Sequence, residues 1–170
     1  MHPHFDAANE SYEPTGSTDP DDVIIRCNDN PAIRIRLRDA VSPDDEVAAR
    51  YPASRLVHYT VEIQAPGMAA HLDRVVGWTG EAREIAGFLT DLARDFGGWD
   101  GERRWHTDDR DLTVTAVFRS GGRVELTWEL RPRRMGGCGW AASVTLVVEA
   151  GEQLAMLAAD VRQFLSRAGG

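Results

Sequence analysis

Four side chains of the kind that hold divalent metals or relay protons, His58, Glu62, His71 and Asp73, flank the dipeptide Pro66-Gly67. They belong to two stretches, L-V-H-Y-T-V-E-I-Q and M-A-A-H-L-D-R-V-V-G-W, whose apolar residues alternate as in half-buried strands. A hairpin turning at Pro-Gly pairs Ile63 with Ala70 and Val61 with Leu72, with Val76 inward further along, which sets Glu62 opposite His71 and Thr60 opposite Asp73, with His58 one pair further along. Such a face would bind a metal or transfer protons. Ligand spacing alone is easily met, so the preferred reading is an exposed sheet face with cross-strand polar pairs of about 0.2–1 kcal/mol each.

Three further groups carry reactive or charged residues. Gly97–Leu112 (G-G-W-D-G-E-R-R-W-H-T-D-D-R-D-L) offers Glu102 and Asp108 as an acid and base. Acidic residues are also ordinary turn formers, and Asp108, Asp109 and Asp111 read as a solvated loop, with Asp111 near Arg131. In the loop Arg131–Gly139, Cys138 sits between glycines close to Arg131, Arg133 and Arg134, which suggests an anion site or a reactive thiol. No phosphate-loop or nucleophile pattern accompanies it, so a passive loop is preferred. Finally, Arg34, Arg36 and Arg38 alternate with Ile33, Ile35 and Leu37, placing a basic stripe on an outer strand face. That stripe reads as a charge ladder with Glu62, Glu125 and Glu129 of neighbouring strands, or as an interaction surface.

The chain has 170 residues and a net charge of −8, all nineteen basic residues being arginine. The sign disfavours nucleic acid and anionic membranes and suits a basic partner. Without lysine there is no Schiff-base chemistry. Cys27 and Cys138 lack disulfide or zinc spacing, no apolar run is long enough to span a bilayer, and the N-terminus does not read as a signal peptide. A cytoplasmic protein with no cofactor is the expectation.

Residues 1–20 read as a disordered acidic tail, in which His2, His4 and Asp6 are a weak metal set, and 21–168 as a single α+β domain. Residues 39–54 read as an acidic loop containing Asp44, Asp45 and Glu46. A helix from Glu81 to Phe96 is predicted, with Thr79 as its N-cap and Ile85, Phe88, Leu89, Leu92 and Phe96 on one stripe. Strands over 103–107, 112–118 and 123–131 follow, the last two joined by Ser120-Gly121-Gly122, then a strand ending at Glu149 and a helix over 152–167. The expected fold is a mainly antiparallel sheet of about seven or eight strands, in the order strands, helix, strands, helix, with two amphipathic helices packed on it. The paired strings T-G-E-A and A-G-E-Q hint at duplication.

F-L-T-D-L-A-R-D-F-G-G-W-D-G-E-R-R-W, D-L-T-V-T-A-V-F-R-S-G-G-R-V-E-L-T-W-E-L and L-V-V-E-A-G-E-Q-L-A-M-L-A-A-D-V-R-Q-F-L resemble an uncharacterised bacterial family of unknown function, over about Val23 to Leu165. The tail, the 39–54 insert and the 131–139 loop depart from it. The resemblance implies a small binding protein of the immunity type, which neutralises a toxin by occupying it. It carries no site residues. The expected function is therefore binding of a protein partner, with Arg34, Arg36, Arg38, Asp44, Asp45, Glu46, Arg133 and Arg134 as contact candidates. The alternative is a small enzyme or metal protein built on His58, Glu62, His71 and Asp73.

Overall fold

The computed structural model describes residues 19–43, 55–80, 84–133 and 138–168, with Arg55 as main chain only. The tail up to Thr18 and the acids Asp44, Asp45 and Glu46 lie outside the described residues. Among the described residues, eight strands and two helices follow one another as β1 (Val23–Arg26), β2 (Arg34–Val41), β3 (Arg55–Ala65), β4 (Met68–Thr79), α1 (Ile85–Arg94), β5 (Glu102–His106), β6 (Leu112–Arg119), β7 (Arg123–Leu130), β8 (Ala142–Glu149) and α2 (Glu152–Ala168). All neighbouring strands are antiparallel, and they form two four-stranded meanders, β1-β2-β3-β4 and β5-β6-β7-β8. The expected single sheet is thus two. The reason lies in β1, which is only four residues long; past Arg26 the chain touches β8 through one backbone bond, Asn28 N–H to Val147 O at 2.8 Å, and then turns back at Asn30 into β2.

Local chemistry explains the registers. Pro66-Gly67 is a two-residue connection between Ala65 and Met68, with Gly67 at φ +78°, a conformation for which glycine carries no steric cost. The pairs Ile63–Ala70, Val61–Leu72 and Glu62–His71 form as the pattern predicts. Beyond them Asp73 and Arg74 both stand opposite Thr60, Arg74 at φ +58°, and this bulge flips the alternation of β4. Val75, rather than the expected Val76, is therefore the buried residue. In the second sheet Ser120-Gly121-Gly122 closes the β6–β7 hairpin as expected, Arg119 pairing with Arg123.

The first helix is shorter than its periodicity suggests. It opens at Ile85 after Glu84, while Thr79 ends β4, and it stops at Arg94. Phe96 therefore falls beyond the stripe and is 68% exposed, where the spacing had it buried. Ile85, Ala86, Leu89 and Leu92 are buried on α1, and Leu154, Leu157, Ala158, Val161, Phe164 and Leu165 on α2.

The helices pack on each other, and α2 lies across β1, β2 and β4 while also touching β8; α1 meets β5. The Phe164 ring stands edge-on to Tyr59 with centroids 6.1 Å apart, a contact worth about 0.5–1.5 kcal/mol beyond its burial. Both sheets and both helices feed one buried cluster. At one seam Asn28 and Gln153 exchange two side-chain bonds of 2.9 and 3.0 Å, and at another Trp78 Nε1–H donates to Asp108 at 3.0 Å. What remains for function is the two outward sheet faces and the exposed side of the helix pair.

Candidate interaction face

On the outer face of the first sheet, β2 and β3 bring the arginine stripe onto carboxylates and amides. Arg34 Nε–H donates to Gln64 at 2.7 Å, Arg36 grips Asp22 through Nε and Nη2 at 2.7 and 2.5 Å, and Arg38 Nε–H donates to Glu62 at 2.6 Å while also meeting Asp39. Glu62 lies 3.8 Å from Arg36 as well. Partial burial pulls the Arg38 pKa down, but hydrogen bonding to Glu62 and the charges of Glu62 and Asp39 outweigh it, so the guanidinium ends above its ordinary value. The stripe is closed into a ladder with Glu62, while Glu125 and Glu129, expected beside it, lie on β7 of the other sheet and meet Arg119 and Arg131.

The histidine and carboxylate set shares this face without converging. Glu62 sits opposite His71 but is spoken for by arginines; Asp73 accepts from Thr60 Oγ1 at 3.2 Å; the bulge sets His58 opposite Val76. Among the described residues no three metal-ligating side chains group together. Glu102 and Asp108 stand at opposite ends of β5, bonded respectively to Arg104 at 2.8 Å and to Trp78.

The second sheet presents a different surface. Its registers align Arg104, Thr115, Thr127 and Thr145 in one row, and His106, Thr113, Glu129 and Ser143 in the next. Thr127 and Thr145 hydroxyls share a 2.8 Å bond. Short hydroxyl side chains between longer ones leave a concavity of about 320 Å³, with Thr113, Thr115, Thr127 and Glu129 as floor and wall. Arg104, His106, Arg110 and Arg133 form its rim.

That rim is held by a hydrogen-bonded turn. Thr107 Oγ1–H donates to Asp109 at 2.7 Å and accepts from Leu112 N–H at 3.2 Å, and Asp109 also takes the Asp111 N–H at 3.0 Å. Arg110 is set in the left-handed region at φ +60°. The expectation of a solvated loop fails at Asp111, which is 0% exposed. Its carboxylate accepts the Arg133 N–H at 2.8 Å and its carbonyl the Arg131 N–H at 2.9 Å, because a buried carboxylate must be met by donors. Asp111 thereby pins one side of the rim. His106 Nδ1 lies 2.8 Å from the Thr107 carbonyl, which only accepts, so Nδ1 is the donor in that contact.

Pairing separates the two faces. Arg104 is bonded to Glu102, and Arg131 lies 3.7 Å from Glu129, whereas Arg110 and Arg133 have no acidic partner among the described residues. Of the expected contact residues, Arg133 is thus on this rim and Arg34, Arg36 and Arg38 are on the other sheet. Arg134 lies outside the described residues, and Cys138 is exposed. Sequence reading missed Arg104, Arg110, His106 and the threonine floor. The available signal was the period-two recurrence of threonine at 113 and 115, with 127 and 145 on neighbouring strands.

A third feature is an apolar groove of about 490 Å³ between the helices, floored by Ala93, Ala155 and Ala159 and flanked by Phe96. Arg162 spans it to the Thr90 hydroxyl at 3.1 Å. Comparison with curated proteins and with solved structures gave no match. The family comparison did: residues 26–168 match the model of a family of unknown function, DUF6228, and the chain belongs to that family.

Proposed function

We propose that this chain is a binding protein of the immunity kind, acting in the bacterial cytoplasm without catalysis of its own, and that it docks its protein partner on the outer face of the second sheet. One observation carries the reading: Arg110 and Arg133 line a polar concavity with no acidic partner among the described residues, whereas Arg34, Arg36 and Arg38 on the other sheet are engaged. Arginine is the charged residue favoured at protein interfaces, and a guanidinium with no internal partner loses no intramolecular bond when a partner binds. The net charge of −8 adds long-range attraction for a basic partner such as a toxin. The acidic residues Asp44, Asp45 and Glu46 are a second contact surface in this reading.

Native mass spectrometry of gently purified protein tests it. A co-eluting protein at fixed stoichiometry, lost from Arg110→Asn/Arg133→Gln and kept by Arg34→Gln, is the expected result. Retention by the double variant overturns the assignment of the face. A metal adduct on the bare chain moves the weight to His58, Glu62, His71 and Asp73.

A further inference from the structure

We infer that the concavity on the second sheet is a seat for one carboxylate side chain, presented by a partner that is otherwise basic. This rests on the reading of that face as the docking surface. Arg110 and Arg133 supply guanidinium forks without acidic partners among the described residues, and such forks match a carboxylate in two parallel bonds. The Thr113 and Thr115 hydroxyls of the floor can donate to the same oxygens, and they rotate to suit the acceptor. Size fits as well. About 320 Å³ lies at the lower end of ligand sites, enough for a side chain and its neighbours rather than for an extended cofactor.

Glu129 bears on the choice of anion. It lines the concavity and lies 3.7 Å from Arg131, and it offsets part of the attraction that Arg110 and Arg133 offer a second negative charge. A planar, singly charged carboxylate already satisfies a guanidinium fork in two parallel bonds. The surroundings select the rest of the partner. The whole chain is strongly acidic, so a partner rich in arginine or lysine is drawn in, and its single acid finds the local cationic rim.

The test uses the full isotope-labelled chain and three probes: acetyl-Lys-Glu-Lys-amide, its isostere acetyl-Lys-Gln-Lys-amide, and sodium phosphate. Saturable shifts of the Thr113, Thr115 and Thr127 amides with the glutamate peptide, at least fivefold weaker with the glutamine peptide, are expected. Arg110→Asn/Arg133→Gln should abolish the difference, and Thr115→Glu, which places a carboxylate on the floor, should abolish binding. Arg110→Asn suits the left-handed backbone, and an unchanged thermal midpoint shows that the variants fold. Equal binding of both peptides, shifts confined to the first sheet, or tighter binding of phosphate overturns the inference. Its failure is separable from that of the docking face. If a co-eluting partner is lost from the double variant while the glutamate peptide leaves the concavity unshifted, only the carboxylate falls; if the partner is retained, the face falls.

Discussion

The two sheets carry similar outward charges and use them in opposite ways. On the first, Arg34, Arg36 and Arg38 are closed into a ladder with Gln64, Asp22 and Glu62. On the second, Arg104 is paired but Arg110 and Arg133 have no acidic partner among the described residues; one is carried on a tight turn and the other is fixed through its backbone to Asp111. Counting arginines would rank the first face higher as a binding surface. Pairing sets the ladder apart from the rim, since a partner approaching Arg34, Arg36 or Arg38 must replace bonds already made.

Breaking the anchor of the second face should have the largest effect. Asp111→Ala removes a buried acceptor and strands the Arg133 N–H, and we expect a loss of about 2–3 kcal/mol in denaturant unfolding. A loss within 0.5 kcal/mol would mean that the rim does not depend on Asp111.

Next comes Tyr59, on the inner side of the first sheet. Its hydroxyl is buried without a hydrogen-bond partner among the described residues, and burial, then the charge of Asp109, pushes its pKa well above the ordinary value. The unfolded phenol ionises near its ordinary pKa of about 10. The stability this residue contributes is therefore complete below that pH and is lost as pH climbs towards the raised folded value. Tyr59→Phe should leave neutral-pH stability unchanged or raise it by up to about 1 kcal/mol, and should move alkaline unfolding followed by circular dichroism to higher pH. An earlier alkaline transition would refute this.

The ladder itself is a smaller matter. Arg38 and Glu62 side chains are each 30% exposed, so a double-mutant cycle with Arg38→Gln and Glu62→Gln should give a coupling of about 0.5–1 kcal/mol. Smallest of all, Arg110→Asn and Arg133→Gln should each stay within about 0.5 kcal/mol of the parent, having no ion pair to lose. A larger coupling between Arg110 and Arg133 and any acid would contradict the contrast between the faces.

The sequence conveyed the elements better than their assembly. Hairpin registers were legible because apolar alternation on two strands must agree across a turn of fixed length, as at Pro66-Gly67 and Ser120-Gly121-Gly122. The split into two sheets was not, because it depends on a long-range seam made by Asn28 and Val147. Val76 was misassigned since nothing in D-R-V-V announces a bulge, and Phe96 since periodicity does not mark where a helix stops. Asp111 looked like its neighbours Asp108 and Asp109; only the backbone donors converging on it distinguish them. The arginine stripe was visible by type and spacing, but whether an arginine is already paired is a property of three dimensions.

The position of α2 has a consequence in time. The helix that covers β1, β2 and β4 is the last of the described elements to be made. During synthesis at roughly 5–20 residues per second, the first sheet waits on the order of ten seconds between completion of β4 and arrival of Phe164 against Tyr59. For that interval a finished meander has its apolar side uncovered by its final helix.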